Sequence, residues 1–208
     1  PFRNKLNFKE KQQIDNTHII KIKTRNIEAN DLEFWSKYNI NKAILNKFQV
    51  YPIKYYISNS NESFFIRYPT PGYSYAYYFG KNSDGNEEYK IYRPYSQDRK
   101  WRGNCTKETI LGLLQLPQVG NLLIITSSLK DVMSLYSINC RYNAIAPQSE
   151  STIISAGTIE KLRERFCTII TLMDNDEAGL KSMAKYRELY GLRGIIIPTE
   201  LKAKDPSD

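Results

Sequence analysis

One stretch decides how the C-terminal half of the chain folds: residues 168–179, which read TIITLMDNDEAG. Its first part, Thr168–Met173, is mostly apolar, as expected of a strand that is covered on both faces of a sheet. A helical pattern follows over Ala178–Tyr190, so the acidic residues in between lie where a strand passes into a helix. The stretch therefore predicts a strand–helix unit with carboxylates at the carboxyl end of the strand.

The alternation of strand and helix continues on both sides of this unit. Apolar runs predict three more strands, and segments of helical spacing predict two more helices, the first of them capped by Ser127 or Ser128. Strands separated by helices of this length predict a parallel sheet with right-handed crossovers. The further predicted strands are Leu122–Thr126, Asn143–Pro147 and Gly194–Ile197, and the further helices are residues 129–136 and Thr158–Phe166.

The N-terminal half has a different composition. Residues 1–103 hold 18 Lys and Arg against 10 Asp and Glu, which is the whole net charge of +8, together with 12 of the 16 tyrosines and both tryptophans. Aromatic residues in strands usually pack in a core, whereas aromatics interleaved with basic residues also suit a surface that binds nucleic acid. We expect an α+β subdomain over residues 1–115 and an α/β subdomain over residues 116–208. Since the chain lacks an initiating Met and ends in a polar stretch, we also expect a fragment, truncated at its C-terminal side.

The composition argues against several classes of function. The three cysteines are scattered and form no CxxC pair, so neither a zinc site nor a disulfide framework is expected. A single histidine, His18, argues against His-based metal sites and a Ser-His-Asp triad. No apolar run reaches the roughly 18 residues that a membrane span needs, so no membrane partner is expected.

The carboxylates after the strand are the strongest candidates for chemistry. Asp174 and Asp176 are two residues apart and can point to the same place, where at about 5 Å and an effective dielectric near 20 they would repel by about 3 kcal/mol. A Mg²⁺ ion relieves that repulsion. An EF-hand is excluded, because its fifth and twelfth positions would be Ala178 and Lys185. A haloacid-dehalogenase-type phosphatase is disfavoured, because too little chain follows the motif. Helix capping by the aspartates is the alternative explanation.

From Leu122 onward the chain resembles the topoisomerase–primase (Toprim) domain, most closely that of phage and bacterial DnaG-type DNA primases. The sequence DNDEAG at 174–179 matches the DxDxAG motif of that family, and KDPSD at 204–208 resembles its KDPxD motif. ITSSLKD at 125–131 lies where primases carry a TEGxxD sequence. Upstream, residues 35–49 and 89–104 resemble segments of the primase polymerase domain, so the resemblance covers about residues 30–208.

The resemblance implies a Rossmann-like Toprim sheet and a function. It implies a DNA primase core, a nucleotidyltransferase that uses Mg²⁺ or Mn²⁺ and ribonucleoside triphosphates to make short RNA primers on single-stranded DNA, in the cytoplasm of a bacterium or of an infected bacterial host. A replicative helicase is the expected partner. The residues carried over are Asp174, Asp176, Asp131 and Lys130 for catalysis, Asp174, Asp176 and Asp205 for the metal, and Arg93, Arg99, Lys100, Arg102 and Lys204 for nucleic acid.

One departure from the family leaves alternatives open. The Glu and Gly of the family's TEG sequence are Ser127 and Ser128 here. The site could work with the remaining carboxylates, because phosphoryl transfer rests largely on positioning and electrostatics. Glu150 could replace the missing carboxylate. The domain could instead bind single-stranded DNA without catalysis, or it could be a Toprim-type nuclease.

Overall fold

The computed structural model describes residues 19–60, 63–67, 73–97, 99–149 and 151–208. Its secondary structure confirms the predicted α/β class, with a mainly antiparallel first half and a mainly parallel second sheet. Glu150 and His18 lie outside the described residues.

The first half is built on an antiparallel sheet. In space the strands run β1-β2-β4-β5-β6, and β3 pairs with β2 beside this path. Gly85 takes a positive φ in the turn between β4 and β5, where the Asp84-Gly85 pair predicts a hairpin. The strands are β1 (Ile20–Thr24), β2 (Val50–Ser60), β3 (Ser63–Arg67), β4 (Tyr75–Lys81), β5 (Glu87–Tyr92) and β6 (Trp101–Gly103).

Two helices, α1 (Ala29–Ser36) and α2 (Lys42–Lys47), follow β1. From the sequence, Asn30 or Asp31 is expected to cap a helix that carries Leu32, Trp35 and Tyr38. This expectation is wrong, because Glu28 is the N-cap of α1 and Asp31 lies inside the first turn. The Asp31 carboxylate is fully buried and is held by the guanidinium of Arg25, with N–O distances of 2.6 and 2.8 Å. Asp31 therefore lies inside the fold, three residues after the N-cap, and takes part in the cap by accepting a 2.9 Å hydrogen bond from the backbone N–H of Glu28.

The second half is the predicted parallel sheet. Its order is β11-β10-β8-β9-β7, with every pair parallel except β7–β9. The strands are β7 (Ile110–Leu111), β8 (Gly120–Ile125), β9 (Asn143–Pro147), β10 (Phe166–Thr171) and β11 (Arg193–Gly194), and the helices are α3 (Leu129–Ile138), α4 (Ala156–Arg163) and α5 (Glu177–Tyr190).

Two predictions about this half need correction. The last strand is shorter than predicted, because only Arg193 and Gly194 pair with β10. The sequence also predicts a short helix near Thr109–Gln115. The structure has β7 followed by a 3-10 turn there, and β7 pairs with the second sheet. The proposed subdomain boundary after residue 115 remains a prediction.

Helix α3 lies between the two halves. Its buried residues Leu129, Val132 and Met133 belong to one core cluster that also contains Trp35 and Tyr75 of the first half. Helices α4 and α5 cover the other face of the parallel sheet, in a separate cluster. The two halves therefore share a core along α3.

The structure also describes the cysteines and the lengths of the helices. The three cysteines are free thiols. None of the helices within the described ranges has the length and apolarity that crossing a membrane requires.

Candidate active site

The sheet topology brings the sequence-predicted site residues to one rim. Helix α3 carries the chain from β8 to β9 on one face, whereas α4 returns it from β9 to β10 on the other. The carboxyl ends of β8, β9 and β10 therefore meet where the direction of winding reverses. Ligand sites in open parallel sheets lie at such switch points.

Asp176 has two functions at this rim. Its Oδ1 accepts a hydrogen bond of 3.0 Å from the backbone N–H of Gly179 and so caps α5, as the alternative interpretation predicts. Its Oδ2 lies 3.0 Å from Nζ of Lys204. Capping thus occupies one carboxylate oxygen and leaves the other directed at a cation.

Gly179 is required by close packing. A Cβ at this position would lie 2.0 Å from the carbonyl oxygen of Asp174. The glycine of the DxDxAG motif therefore lets the first turn of α5 lie directly against the backbone that carries Asp174.

Lys204 connects the two aspartates. Its Nζ lies 3.7 Å from Oδ2 of Asp174 as well as 3.0 Å from Oδ2 of Asp176, and its carbonyl accepts from the backbone N–H of Asn175 at 2.7 Å. Hydrogen bonds from Gly179 and Lys204 lower the pKa of Asp176, whereas burial raises the pKa of Asp174 above its usual value. Both carboxylates therefore converge on a single cationic group.

A second ion pair lies beside the first. Nζ of Lys130 is 3.6 Å from Oδ2 of Asp205, contacts the hydroxyl of Ser207, and lies 4.4 Å above the ring of Tyr38. Burial acts to raise the pKa of Asp205, but the hydrogen bonds from Ser207 and the charge of Lys130 outweigh it, so the pKa is lowered. Asp205 is thus paired with Lys130 in this structure.

Asp131 is the most buried carboxylate of the site. It is 1% exposed, accepts a 2.7 Å hydrogen bond from the hydroxyl of Ser128, and its Oδ1 has no hydrogen-bond partner in the described part of the chain. Burial, reinforced by the negative charge of Asp205, raises the pKa of Asp131 to about 7.

Ser127 lies next to Asp174. Its Oγ accepts a hydrogen bond of 3.0 Å from the backbone N–H of Asp174, and only 8% of its surface is exposed. The residue that departs from the family pattern therefore holds the backbone of the first motif aspartate.

The residues at the rim fit a divalent cation in one respect. Asp174 and Asp176 direct one oxygen each at the ammonium of Lys204, which shows that a cation can contact both. No group of three or more His, Cys, Asp or Glu side chains among the described residues could hold a metal. Mg²⁺ is commonly bound by one or two carboxylates with water and substrate phosphates, so the pair suffices.

Four of the five proposed nucleic-acid residues lie on and around the β5–β6 hairpin and differ in exposure, whereas the fifth, Lys204, lies at the acidic rim. Arg99 and Lys100 are exposed, whereas Arg93 and Arg102 are half-buried. The guanidinium of Arg93 contacts the carbonyl of Arg99, and Nζ of Lys100 lies 5.6 Å above the ring of Tyr92. Many aromatic residues of this half pack in the core, among them Trp35, Tyr56, Tyr75 and Tyr77.

Sequence reasoning missed Lys90. It lies on β5 between the buried residues Tyr89 and Ile91, and its Nζ donates to the carbonyl of Gln148 at 2.6 Å, in the loop after β9. The alternation of β5 could have indicated that Lys90 projects from the opposite face of the strand to its neighbours.

Comparison with known proteins confirms the resemblance. The profile of the Toprim-like family matches residues 124–208. No curated protein sequence matches the chain significantly.

Solved structures match over most of the chain. The primase fragment of the bacteriophage T7 primase-helicase is 16% identical, with a TM-score of 0.57 over 83% of this chain and 65% of that one. The Escherichia coli primase catalytic core is 15% identical, with a TM-score of 0.62 over 86% of this chain and 67% of that one. A DnaG primase catalytic domain bound to single-stranded DNA is 15% identical, with a TM-score of 0.62 over 88% of this chain and 69% of that one.

The comparisons agree on a similarity of sequence in one half and of fold over most of the chain. Residues 124–208 match the Toprim-like family, and the chain is similar in fold to primase catalytic cores. It spans 65% of the length of the T7 fragment.

Proposed function

We propose that this chain is part of the catalytic core of a DNA primase, which makes short RNA primers on single-stranded DNA from ribonucleoside triphosphates. The observation that carries the proposal is the convergence of Asp174 and Asp176 on one cation, at the rim of a Toprim-like sheet. The fold shared with primase catalytic cores supports it.

The acidic pair and Lys204 would have different roles in this reaction. Asp174 and Asp176 would hold Mg²⁺ or Mn²⁺, which when bound supplies positive charge to the reacting phosphates. When no metal is bound, Lys204 neutralises the charge of Asp174 and Asp176. When a metal is bound, the same side chain would neutralise a phosphate of the substrate. In the reaction, the 3′-hydroxyl of one ribonucleotide attacks the α-phosphate of the next, and pyrophosphate leaves.

The template would be held by the first half of the chain. Arg99 and Lys100 are exposed on the β5–β6 hairpin, where their charges can contact phosphates. A related DnaG catalytic domain is bound to single-stranded DNA, and the related T7 fragment belongs to a primase-helicase, so a replicative helicase is the proposed partner.

The test is primer synthesis by Asp174→Ala. We expect loss of Mg²⁺-dependent incorporation of labelled ribonucleotides on mixed single-stranded templates, because one of two converging carboxylates is gone. Asp84→Ala, in the exposed turn after β4, is the matched control and should make primers as the wild type does. Unchanged primer yield in Asp174→Ala would rule out the catalytic assignment.

A second candidate is a module that binds single-stranded DNA without catalysis. Two contacts favour it. Ser127 holds the backbone of Asp174 where the motif has a Glu, and Lys130 is paired with Asp205, so both side chains serve structural contacts in place of catalytic ones. DNA binding without any incorporation by the wild type would select this function. Metal-dependent cleavage of labelled DNA or RNA would instead select a Toprim-type nuclease.

A further inference from the structure

A groove of about 380 Å³ lies at the end of the parallel sheet that is opposite to the candidate active site. Three segments form its walls: the end of α2, the 3-10 turn and loop that lead into β8, and the end of α3 with the turn into β9. Strands β8 and β9 begin beside it, at Gly120 and Asn143, whereas the acidic rim lies at the carboxyl ends of the strands. The groove and the acidic rim are therefore separated by the length of the strands.

The segments around the groove expose apolar side chains. Leu114 and Val119 are exposed before β8, and Ile138 is exposed at the end of α3. Tyr142 lines the groove itself and is 38% exposed. Single exposed apolar residues are ordinary on a protein surface, but several of them around one groove are typical of an interaction site.

Contacts within the chain hold the walls of the groove in place. The side chain of Gln115 donates to the carbonyl of Lys47 at 3.2 Å, which ties the 3-10 turn to the end of α2. The guanidinium of Arg165 donates to the carbonyls of Pro117 and Gln118 at 2.7 and 3.2 Å. A groove with walls that are already fixed loses little conformational freedom when it binds, which favours affinity.

The charge around the groove has one sign. Nζ of Lys47 lies 5.0 Å above the ring of Tyr136, which lines the groove, and Arg141 is exposed directly before Tyr142. An occupant with negative charge would therefore meet attraction and no like charge on these walls. The wall segments contain three basic residues and no Asp or Glu, and they are residues 42–48, 112–120 and 132–144.

A peptide fits these features better than a nucleic acid does. Surfaces that bind nucleic acid are polar and strongly positive, whereas the inner wall of the groove is apolar and aromatic. The cores of protein interfaces are enriched in aromatic residues and depleted of charge, with polar groups at their rim. The apolar and aromatic residues of the wall are Phe48, Leu116, Pro117, Val132, Tyr136 and Ala144.

We propose that the groove docks an acidic, apolar peptide segment of a partner protein. The apolar side chains of the peptide enter the groove, and its carboxylates pair with Lys47 and Arg141. The docking site does not depend on the proposed function, because it lies at the other end of the sheet from Asp174 and Asp176. A partner that is held in the groove leaves the acidic rim uncovered.

The experiment begins with selection of a phage-displayed library of random dodecapeptides on the immobilised whole chain. We expect the enriched sequences to combine aromatic or large aliphatic residues with an excess of Asp and Glu over Lys and Arg. The most enriched peptides are then synthesised with a fluorescent label, and their binding to the chain is measured by fluorescence anisotropy.

The charge of the groove is tested with the double variant Lys47→Glu, Arg141→Glu. It should lose at least about tenfold in affinity for the enriched peptides, because two attractive contacts become repulsive. The control pair Lys23→Glu, Lys161→Glu makes the same change of charge at exposed positions on β1 and α4 and should bind as the wild type does.

The apolar part of the groove is tested with Tyr142→Ala. It should lose at least about fivefold in affinity, because an aromatic contact is removed, while its melting temperature stays close to that of the wild type, since the side chain is partly exposed. Tyr95→Ala, at an exposed tyrosine of the first half, is the control and should bind as the wild type does.

Several outcomes would overturn the proposal. They are failure to enrich acidic peptides and full affinity of every enriched peptide for the variant Lys47→Glu, Arg141→Glu. Displacement of the peptide by a single-stranded oligodeoxynucleotide would assign the groove to nucleic acid, and a dimer that the peptide dissociates would assign it to a second copy of the chain. Asp174→Ala should bind the peptide as the wild type does while it tests primer synthesis, so the two proposals can fail separately.

Discussion

Ser127 contacts the backbone of the candidate active site at the position where the TEGxxD motif has a Glu. Its hydroxyl accepts the backbone N–H of Asp174 at 3.0 Å in an almost fully buried position. The motif comparison identified this position as a departure, but it could not indicate what the serine does. The hydrogen bond depends on how closely the ends of β8 and β10 approach, which is a property of the sheet and not of the local sequence.

Ser127→Glu tests whether the serine is adapted to this place. We expect primer yield to fall by at least about tenfold, because a buried carboxylate would lie beside Asp174. Ser127→Ala is the control and should cost only about 1 kcal/mol of stability through the lost hydrogen bond. A large gain of primer synthesis in Ser127→Glu would mean that the natural site is impaired.

The buried carboxylate of Asp131 should make stability depend on pH. Its pKa rises from an ordinary value of 3.8 to about 7 through burial and the neighbouring Asp205. Between these values the folded state holds a proton that the unfolded state releases, so the free energy of unfolding falls as the pH rises, by up to about 1.4 kcal/mol per unit. The loss is complete above about pH 7.

The measurement is urea denaturation in EDTA at pH 5 and pH 8. Asp131→Asn removes the titrating group and should show a smaller decrease in the free energy of unfolding between the two pH values than the wild type. Asp84→Asn, in an exposed turn, should behave as the wild type does. Equal decreases in Asp131→Asn and wild type would contradict the assigned proton.

Among the elements, the β10–α5 unit carries the site and is the part that sequence predicts best. Its strand is a continuous apolar run, its helix has a clear period, and the acidic turn between them has a recognisable motif. The short edge strand β11 was predicted too long, because its length depends on pairing with β10 rather than on its own apolar run. The expected cap of α1 is wrong for a similar reason, since Arg25, which lies before the helix, holds Asp31 through a tertiary ion pair.

Gly179→Ala should disturb this unit although Ala is the better helix former. The added methyl group would lie 2.0 Å from the carbonyl oxygen of Asp174, so the turn must shift, which we expect to cost more than about 2 kcal/mol and most of the primer synthesis. Gly157→Ala in α4 meets nothing within 4 Å and should raise stability by up to about 1 kcal/mol. Thermal unfolding of both variants checks this, and a stabilised Gly179→Ala would refute the close packing.

At the scale of the whole molecule, the two halves are joined by the core around α3. The sequence predicted two architectures from their compositions, but nothing in it revealed that they share a hydrophobic cluster or that Lys90 reaches the loop after β9. Contacts between residues so distant along the chain leave no local pattern. The same limit explains why the sequence does not predict that Lys90 of the first half lies across a crevice from Lys181 and Lys185 of α5.

The shared core predicts that the chain unfolds as one unit. Met133 on α3 is fully buried in the cluster that contains Trp35, so Met133→Ala should destabilise both halves together by about 2–5 kcal/mol. Both tryptophans lie in the first half, so their fluorescence reports on that half, whereas circular dichroism reports on all helices and strands. Coincident midpoints, shifted equally by the variant, are expected; two separate transitions would show independent halves.

The contact of Lys204 with Asp174 and Asp176 has one consequence for the molecule at rest. A counter-ion that is covalently part of the chain cannot diffuse away, so the acidic pair stays partly balanced when divalent ions are scarce. The two carboxylates can therefore stay close together without a divalent ion, and the acidic loop keeps its shape through a cation that the chain itself supplies.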